Sequence, residues 1–192
     1  MAGIILASGS PRRKEILRSL GLDFEIIKPD INEAHFDDET PEKYCVRLAE
    51  TKAHEISRTH KNSLVIAADT IVVIDENILG KPKDRGEAFN MLKILQGRQH
   101  EVLTGIAIAR GENLSSGFER TFVKFRALTD NQISSYISTG ESDDKAGGYA
   151  VQGKGALLIE HINGDYYNVV GFPVCKFGFM LEKFGYVLEN LI

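Results

Sequence analysis

The chain has 192 residues, 43% hydrophobic and 26% charged, an ordinary globular composition that excludes disordered and collagen-like classes. At roughly 150 residues per domain the length predicts one domain, 1–192, or two lobes of one, with enough chain to bury a sizeable core. Lys+Arg 23 against Asp+Glu 27 leaves a formal net charge of -4, which argues against a general nucleic-acid partner, because a phosphate backbone demands a cationic footprint.

In chain order, residues 4–7 predict a short buried strand that runs into Ser8-Gly9-Ser10-Pro11. A helix over 12–20 follows, with Ser10 as N-cap and Pro11 at its first position. A second strand is expected over 24–27, then an acidic loop over 30–39, then a long helix from Thr40-Pro41-Glu42 to about Arg58. Residues 64–74 are rich in Val and Ile with apolar residues on both faces, as in a central strand covered on both sides. Asp84 and Glu87 form a capping-box pattern for a helix that Gly97 closes. Residues 101–110 and 118–128 predict paired strands, and Asp130 caps a short helix. Asn163-Gly164 predicts a hairpin joining strands 156–162 and 166–170. Pro173 starts a last helix with Phe177, Leu181 and Phe184 facing inward. Helices, crossovers and hairpins interleave, so the expected fold is α/β with a mixed central sheet.

Cys45 and Cys175 stand in no disulfide or metal spacing, the N-terminal apolar run is too short for a secretory leader, and the longest apolar stretch is interrupted by Asp69 and falls short of the roughly 20 residues of a membrane helix. The expectation is a soluble cytoplasmic protein with no membrane partner.

Several residues are out of place for a purely structural protein. Arg12, Arg13 and Lys14 crowd the first turn of a helix, the end that already carries partial positive charge, so an anion should offset them. A strand, a Ser-Gly-Ser turn with free N–H groups and two arginines make a plausible phosphate cradle; a solvated basic turn is the plainer alternative. Asp69 breaks an apolar strand, and a carboxylate there needs a metal, a cation or a proton. Thr70 points to the opposite face. Lys52 lies on the inward stripe with Cys45, Leu48, Ala49 and Ile56, and either snorkels out or meets an anion. Lys81, in a stiff loop, could return toward Asp69. Glu33, in the acidic loop, could join Asp69 around a divalent cation. The glycine-rich run 147–155 enters a strand rather than a helix, so it is no dinucleotide loop; its Gln152 can offer donor and acceptor to a base edge. Cations that want phosphate, carboxylates that want a metal and an amide among glycines together point to nucleoside polyphosphate chemistry.

The motifs Leu6-Ala7-Ser8-Gly9-Ser10-Pro11-Arg12-Arg13, Ala68-Asp69-Thr70, Leu79-Gly80-Lys81-Pro82, His100-Glu101-Val102-Leu103-Thr104-Gly105 and Asn168-Val169-Val170-Gly171-Phe172-Pro173 resemble the Maf proteins, nucleoside triphosphate pyrophosphatases, over essentially the whole chain. The resemblance implies an elongated, two-lobed fold of the inosine triphosphatase type around a deep cleft. It also implies a divalent cofactor, Mg2+, Mn2+ or Co2+, and a homodimer as a candidate assembly. Where the 7-methyl-GTP branch of the family tends to carry Trp, Gln and Glu, this chain has Arg12, Thr70 and Gln152, similar to the dTTP/UTP branch. The implied roles are catalytic for Asp69, Lys52 and Lys81, substrate-binding for Ser8, Ser10, Arg12, Arg13, Thr70 and Gln152, and metal-holding for Glu33 and Asp69. Asn32 stands where relatives usually have an acid. The family's older label, septum formation inhibitor, implies an alternative: a cell-division regulator that binds nucleotide or a partner without turnover.

Overall fold

The computed structural model describes residues 3–187. Its seven-stranded mixed sheet has the order β2-β1-β3-β5-β6-β7, with β4 paired to β3. The strands are β1 (Ile4–Leu6), β2 (Glu25–Ile26), β3 (Leu64–Ile74), β4 (Asn77–Leu79), β5 (Gln99–Arg110), β6 (Asn113–Phe125) and β7 (Ile159–Asn163). The helices are α1 (Pro11–Ser19), α2 (Pro41–Ser57), α3 (Arg85–Leu95), α4 (Asp130–Ile137), α5 (Tyr166–Val170) and α6 (Val174–Glu182). The mixed α/β class expected from the interleaved patterns is therefore observed. Among the described residues no helix is long and apolar enough to cross a membrane.

The chain divides into two compact units. The first comprises 1–69, 104–119 and 171–192, the second 70–103 and 120–170. Strands β3, β5 and β6 are the longest and each contributes residues to both units. In the first unit β1 pairs in parallel with both β2 and β3, in the register Leu6↔Ile26 and Leu6↔Ile66. Side-chain alternation puts Ile5, Ala7, Val65, Ala67, Ala107 and Ala109 on one face, where Ala49, Ala53 and Ile56 of α2 cover them. The many alanines let the helix lie close. The approach is tightest at Gly105, where a Cβ would fall 2.1 Å from the Cys45 carbonyl oxygen and 2.7 Å from the Val46 nitrogen.

In the second unit Val72, Ile74, Val102, Val123 and Phe125 meet α3 and α4 through Leu92, Leu95, Ile133 and Ile137. The β3–β4 hairpin turns on Asp75 and Glu76, both at positive φ (48° and 64°), with Ile74 opposite Asn77. That two-residue geometry matches the twist of the flanking strands.

Four expectations require correction. Asn163-Gly164 does not join a hairpin. Residues Gly153–Leu158 form a 3-10 turn, β7 pairs antiparallel with β6, and Tyr166–Val170 is the helix α5. The competing forces are local and tertiary: the Asp165 carboxylate accepts the Tyr167 N–H at 2.7 Å, starting a helical turn, and Asn168 is buried with its amide donating to the Val102 carbonyl and Thr121 Oγ1, both at 3.0 Å. Thr129, not Asp130, caps α4, through a full capping box with Gln132. Pro173 is the N-cap of α6 rather than its first residue. Phe184 lies past the end of α6 and is only half-buried.

Because the atoms facing Gly105 belong to backbone, they cannot move aside. Gly105→Ala should therefore destabilise the protein by about 1–3 kcal/mol or more, read as a lower urea midpoint. A midpoint equal to wild type would show that α2 is free to shift.

Candidate active site

The first unit assembles most of the chemistry anticipated from sequence. Ser10 is the N-cap of α1 by position, but its side chain makes no capping bond. Instead the buried Ser8 hydroxyl accepts the Ser10 N–H at 3.1 Å and Arg13 Nη1 at 3.3 Å. Arg13 Nε donates to the Gly171 carbonyl at 2.9 Å, tying the first turn of α1 to the segment ahead of α6. Arg12, Arg13 and Lys14 are all half-buried, so the basic turn is not simply solvated. Burial pushes the Arg13 pKa down, the Asp69 and Glu33 carboxylates oppose that shift, and the neighbouring Arg12 reinforces it. Arginine keeps its proton in proteins, so the turn remains a cationic patch within electrostatic reach of two carboxylates.

Lys52 joins those carboxylates. Its Nζ lies 2.6 Å from Asp69 Oδ1 and 2.7 Å from Glu33 Oε1. The side chains of Lys52 and Asp69 are 11% and 14% exposed, that of Glu33 55%. The lysine on the inward stripe of α2 therefore does not snorkel. It meets the aspartate that interrupts β3, at the one point where the strand's burial lapses, Asp69-Thr70.

The loop that carries Glu33 is held by residues that the sequence reading passed over. The Tyr44 hydroxyl donates to the Glu33 carbonyl at 2.8 Å. Arg47 binds Glu39 through Nε and Nη2 (2.6 and 2.7 Å), reaches the Ala34 carbonyl at 2.9 Å and lies 4.2 Å from the centre of the Phe36 ring. Glu39, in the same acidic loop, has a side chain only 8% exposed and serves as the partner of Arg47. The available signal was spacing: Tyr44, Leu48 and Lys52 recur at four-residue intervals on one helical stripe. Arg47 and Glu39 straddle the start of α2, where no helical spacing rule applies. Burial pushes the Cys45 thiol up to about 12, with Asp69 adding to the shift, so this cysteine is no nucleophile at neutral pH.

The remaining anticipated residues belong to the second unit. Thr70 is half-buried on β3, and Lys81 and Gln152 are exposed. The Gly147 N–H donates to the Gly80 carbonyl at 3.0 Å, so the loop of Lys81 and the glycine-rich run adjoin. A Cβ at Gly147 (φ 69°) would fall 3.0 Å from the Val72 side chain, which keeps this run flat against β3.

Residues 3–184 match the family described as Maf-like protein. The chain belongs to that family. Among its relatives, the dTTP/UTP pyrophosphatase of Thermoanaerobacter sp. (strain X514) is 52% identical over 90% of this chain and 92% of its own. That of Pyrococcus furiosus is 50% identical over 91% of each. Among solved structures, a HAM1 protein from Coxiella burnetii aligns at 18% identity and a TM-score of 0.48, over 65% of this chain and 73% of that one.

The Arg47 pair lowers the Glu39 pKa, chiefly through the hydrogen bond to the carboxylate. A lowered folded-state value means that the contribution is present above the ordinary glutamate range and is lost as pH falls through the folded value. The stability gap between wild type and Arg47→Met should be widest above about pH 5 and narrow toward pH 3 in denaturant titrations. A gap that stays constant with pH would remove the pair from the account.

Proposed function

We propose that this Maf family member is a nucleoside triphosphate pyrophosphatase, hydrolysing dTTP and UTP to the monophosphate and pyrophosphate. The observation that carries the chemistry is the Lys52 ammonium held between Asp69 and Glu33 beside the Ser8–Arg13 turn. The pyrimidine preference rests on the relatives' names and on Arg12, Thr70 and Gln152.

A water attacks the α-phosphorus, the bond from that phosphorus to the α,β-bridging oxygen breaks, and pyrophosphate departs with the bond's electrons. Asp69 receives the water's proton, a task suited to an ionised carboxylate held in place by a hydrogen bond. Lys52 orients Asp69 and offsets its repulsion of the incoming anion. Arg12 and Arg13, at the start of α1, receive the triphosphate and stabilise charge on the leaving group. Ser8 fixes the Arg13 fork while Ser10 keeps its hydroxyl available. Lys81 adds a further cation for the phosphates, and Thr70 and Gln152 meet the base.

The donor set also fits a divalent cation. Two carboxylate oxygens converge on one point, now taken by the Lys52 ammonium. Among the described residues no cluster of three His, Cys, Asp or Glu could hold an ion alone, so water and phosphate oxygens would complete the shell, the usual arrangement for Mg2+. Such an ion, held by Glu33 and Asp69, would supply Lewis-acid polarisation of the phosphate and a more acidic water.

With UTP or dTTP and Mg2+ or Mn2+, the protein should release stoichiometric pyrophosphate and monophosphate. Tight UTP binding without pyrophosphate would turn the reading toward a nucleotide-dependent regulator. Asp69→Asn should lower kcat by about 10²–10⁴-fold while calorimetry still detects UTP binding; wild-type turnover in that variant would unseat Asp69.

A further inference from the structure

Gln152 is exposed and begins the 3-10 turn Gly153–Leu158, yet its side chain does not cap that turn. The capping anion comes from elsewhere in the second unit. Glu141, three residues past the end of the C-cap of α4, sends its carboxylate into the loop, where Oε1 accepts the Lys154 N–H and Oε2 the Gly155 N–H, each at 3.1 Å. Gly153, at φ +64°, wraps this carboxylate so closely that a Cβ there would lie 2.8 Å from Oε1. On the other side of Gln152, the Ala150 N–H donates to the hydroxyl of Tyr136 on α4 at 2.9 Å. The two arms meet at Gly155, where a Cβ would fall 2.1 Å from the Ala150 carbonyl oxygen and 2.9 Å from the Tyr136 hydroxyl. One residue earlier, the Tyr149 hydroxyl is 2.7 Å from His100 Nε2 in the aromatic core. The backbone anchors on either side of Gln152 are thus internal, and its own exposed side chain does not cap that turn.

We propose that Glu141 and Tyr136 are positioning residues for base selection: they close the 150–155 loop into a fixed ring that holds Gln152 out toward the nucleobase. The proposal rests on the pyrophosphatase reading, in which Gln152 meets the base. An amide discriminates base edges only if its backbone is fixed to within a fraction of an ångström. A bidentate carboxylate cap supplies that rigidity more strongly than neutral bonds would. The loop needs it, because glycines at 153 and 155 leave its backbone otherwise loose.

The experiment is a double-mutant cycle on the full chain, measuring kcat and KM for UTP, CTP and GTP in wild type, Gln152→Ala, Glu141→Ala and the double variant. Glu141→Ala should raise KM for UTP by about tenfold and lower the UTP:GTP ratio of kcat/KM by a similar factor, the size of a lost charge-assisted bond. The kcat should change far less. On the Gln152→Ala background the Glu141 change should add nothing, because it acts through that side chain. Glu141→Gln, which retains one acceptor oxygen, should recover part of the selectivity. Tyr136→Phe repeats the test from the other arm if Glu141→Ala does not fold. Additive losses in the double variant, or an equal fall in kcat for all three nucleotides, would overturn the positioning role while leaving Gln152 in place. Unchanged selectivity in Gln152→Ala itself would overturn the reading on which the proposal stands.

Discussion

The structure turns on a lysine that α2 carries inward and an aspartate that β3 cannot bury alone. Either charge by itself would cost several kcal/mol at such low exposure. Each is tolerable because the other is 2.6 Å away, and Glu33 supplies the second negative charge that makes the cluster a net anion. The cationic turn of α1 is the complement. Arg12 and Arg13 face a helix dipole of their own sign, and the Asp69 and Glu33 carboxylates act on Arg13 in the opposite sense. Under the proposed function a polyphosphate joins that balance as a further anion.

Close packing makes that cluster reproducible. Lys52 can reach Asp69 only because α2 lies almost on the sheet, and it does so because a line of alanines and Gly105 removes the side chains that would hold it off. The loop bearing Glu33 is too polar to bury and is fixed instead by a cation. Arg47 gathers a carboxylate, a carbonyl and an aromatic face, and planar guanidinium geometry suits that better than an ammonium would. Reactive groups thus sit on rigid elements in two cases, β3 and α2, and on a loop pinned by α2 in the third.

Much of the first unit was legible in the linear chain because its signals are local. The Ser-Gly-Ser-Pro turn, the two arginines and the aspartate inside an apolar strand each depart from a simple pattern, and those departures pick out the residues of the candidate site. What stayed hidden depends on tertiary competition. Asn163-Gly164 is a strong turn signal, yet Asp165 and the buried amide of Asn168 draw the following residues into α5, and β7 finds its partner in β6. Arg47 carries no sequence signal, because its partner Glu39 precedes the helix and no spacing rule links the two. Glu141 was equally silent: an acid after a short helix has no signature until the glycine loop folds back over it.

Under the proposed function the two units differ in chemistry. The first carries the cluster of Lys52, Asp69 and Glu33 and the arginine turn, to which that proposal assigns the triphosphate and the proton transfer. The second holds shape, with a glycine-rich loop flattened on β3 and closed around Glu141 and Tyr136, and its exposed Gln152 is neutral. Charge suits the triphosphate, which is common to every nucleotide and so cannot be the basis of choice. A neutral amide suits a base edge, because it offers one donor and one acceptor and carries no charge to attract the wrong group. The net charge of -4 is consistent with this arrangement: acids outnumber cations over the whole chain, so long-range attraction for nucleic acid is weak.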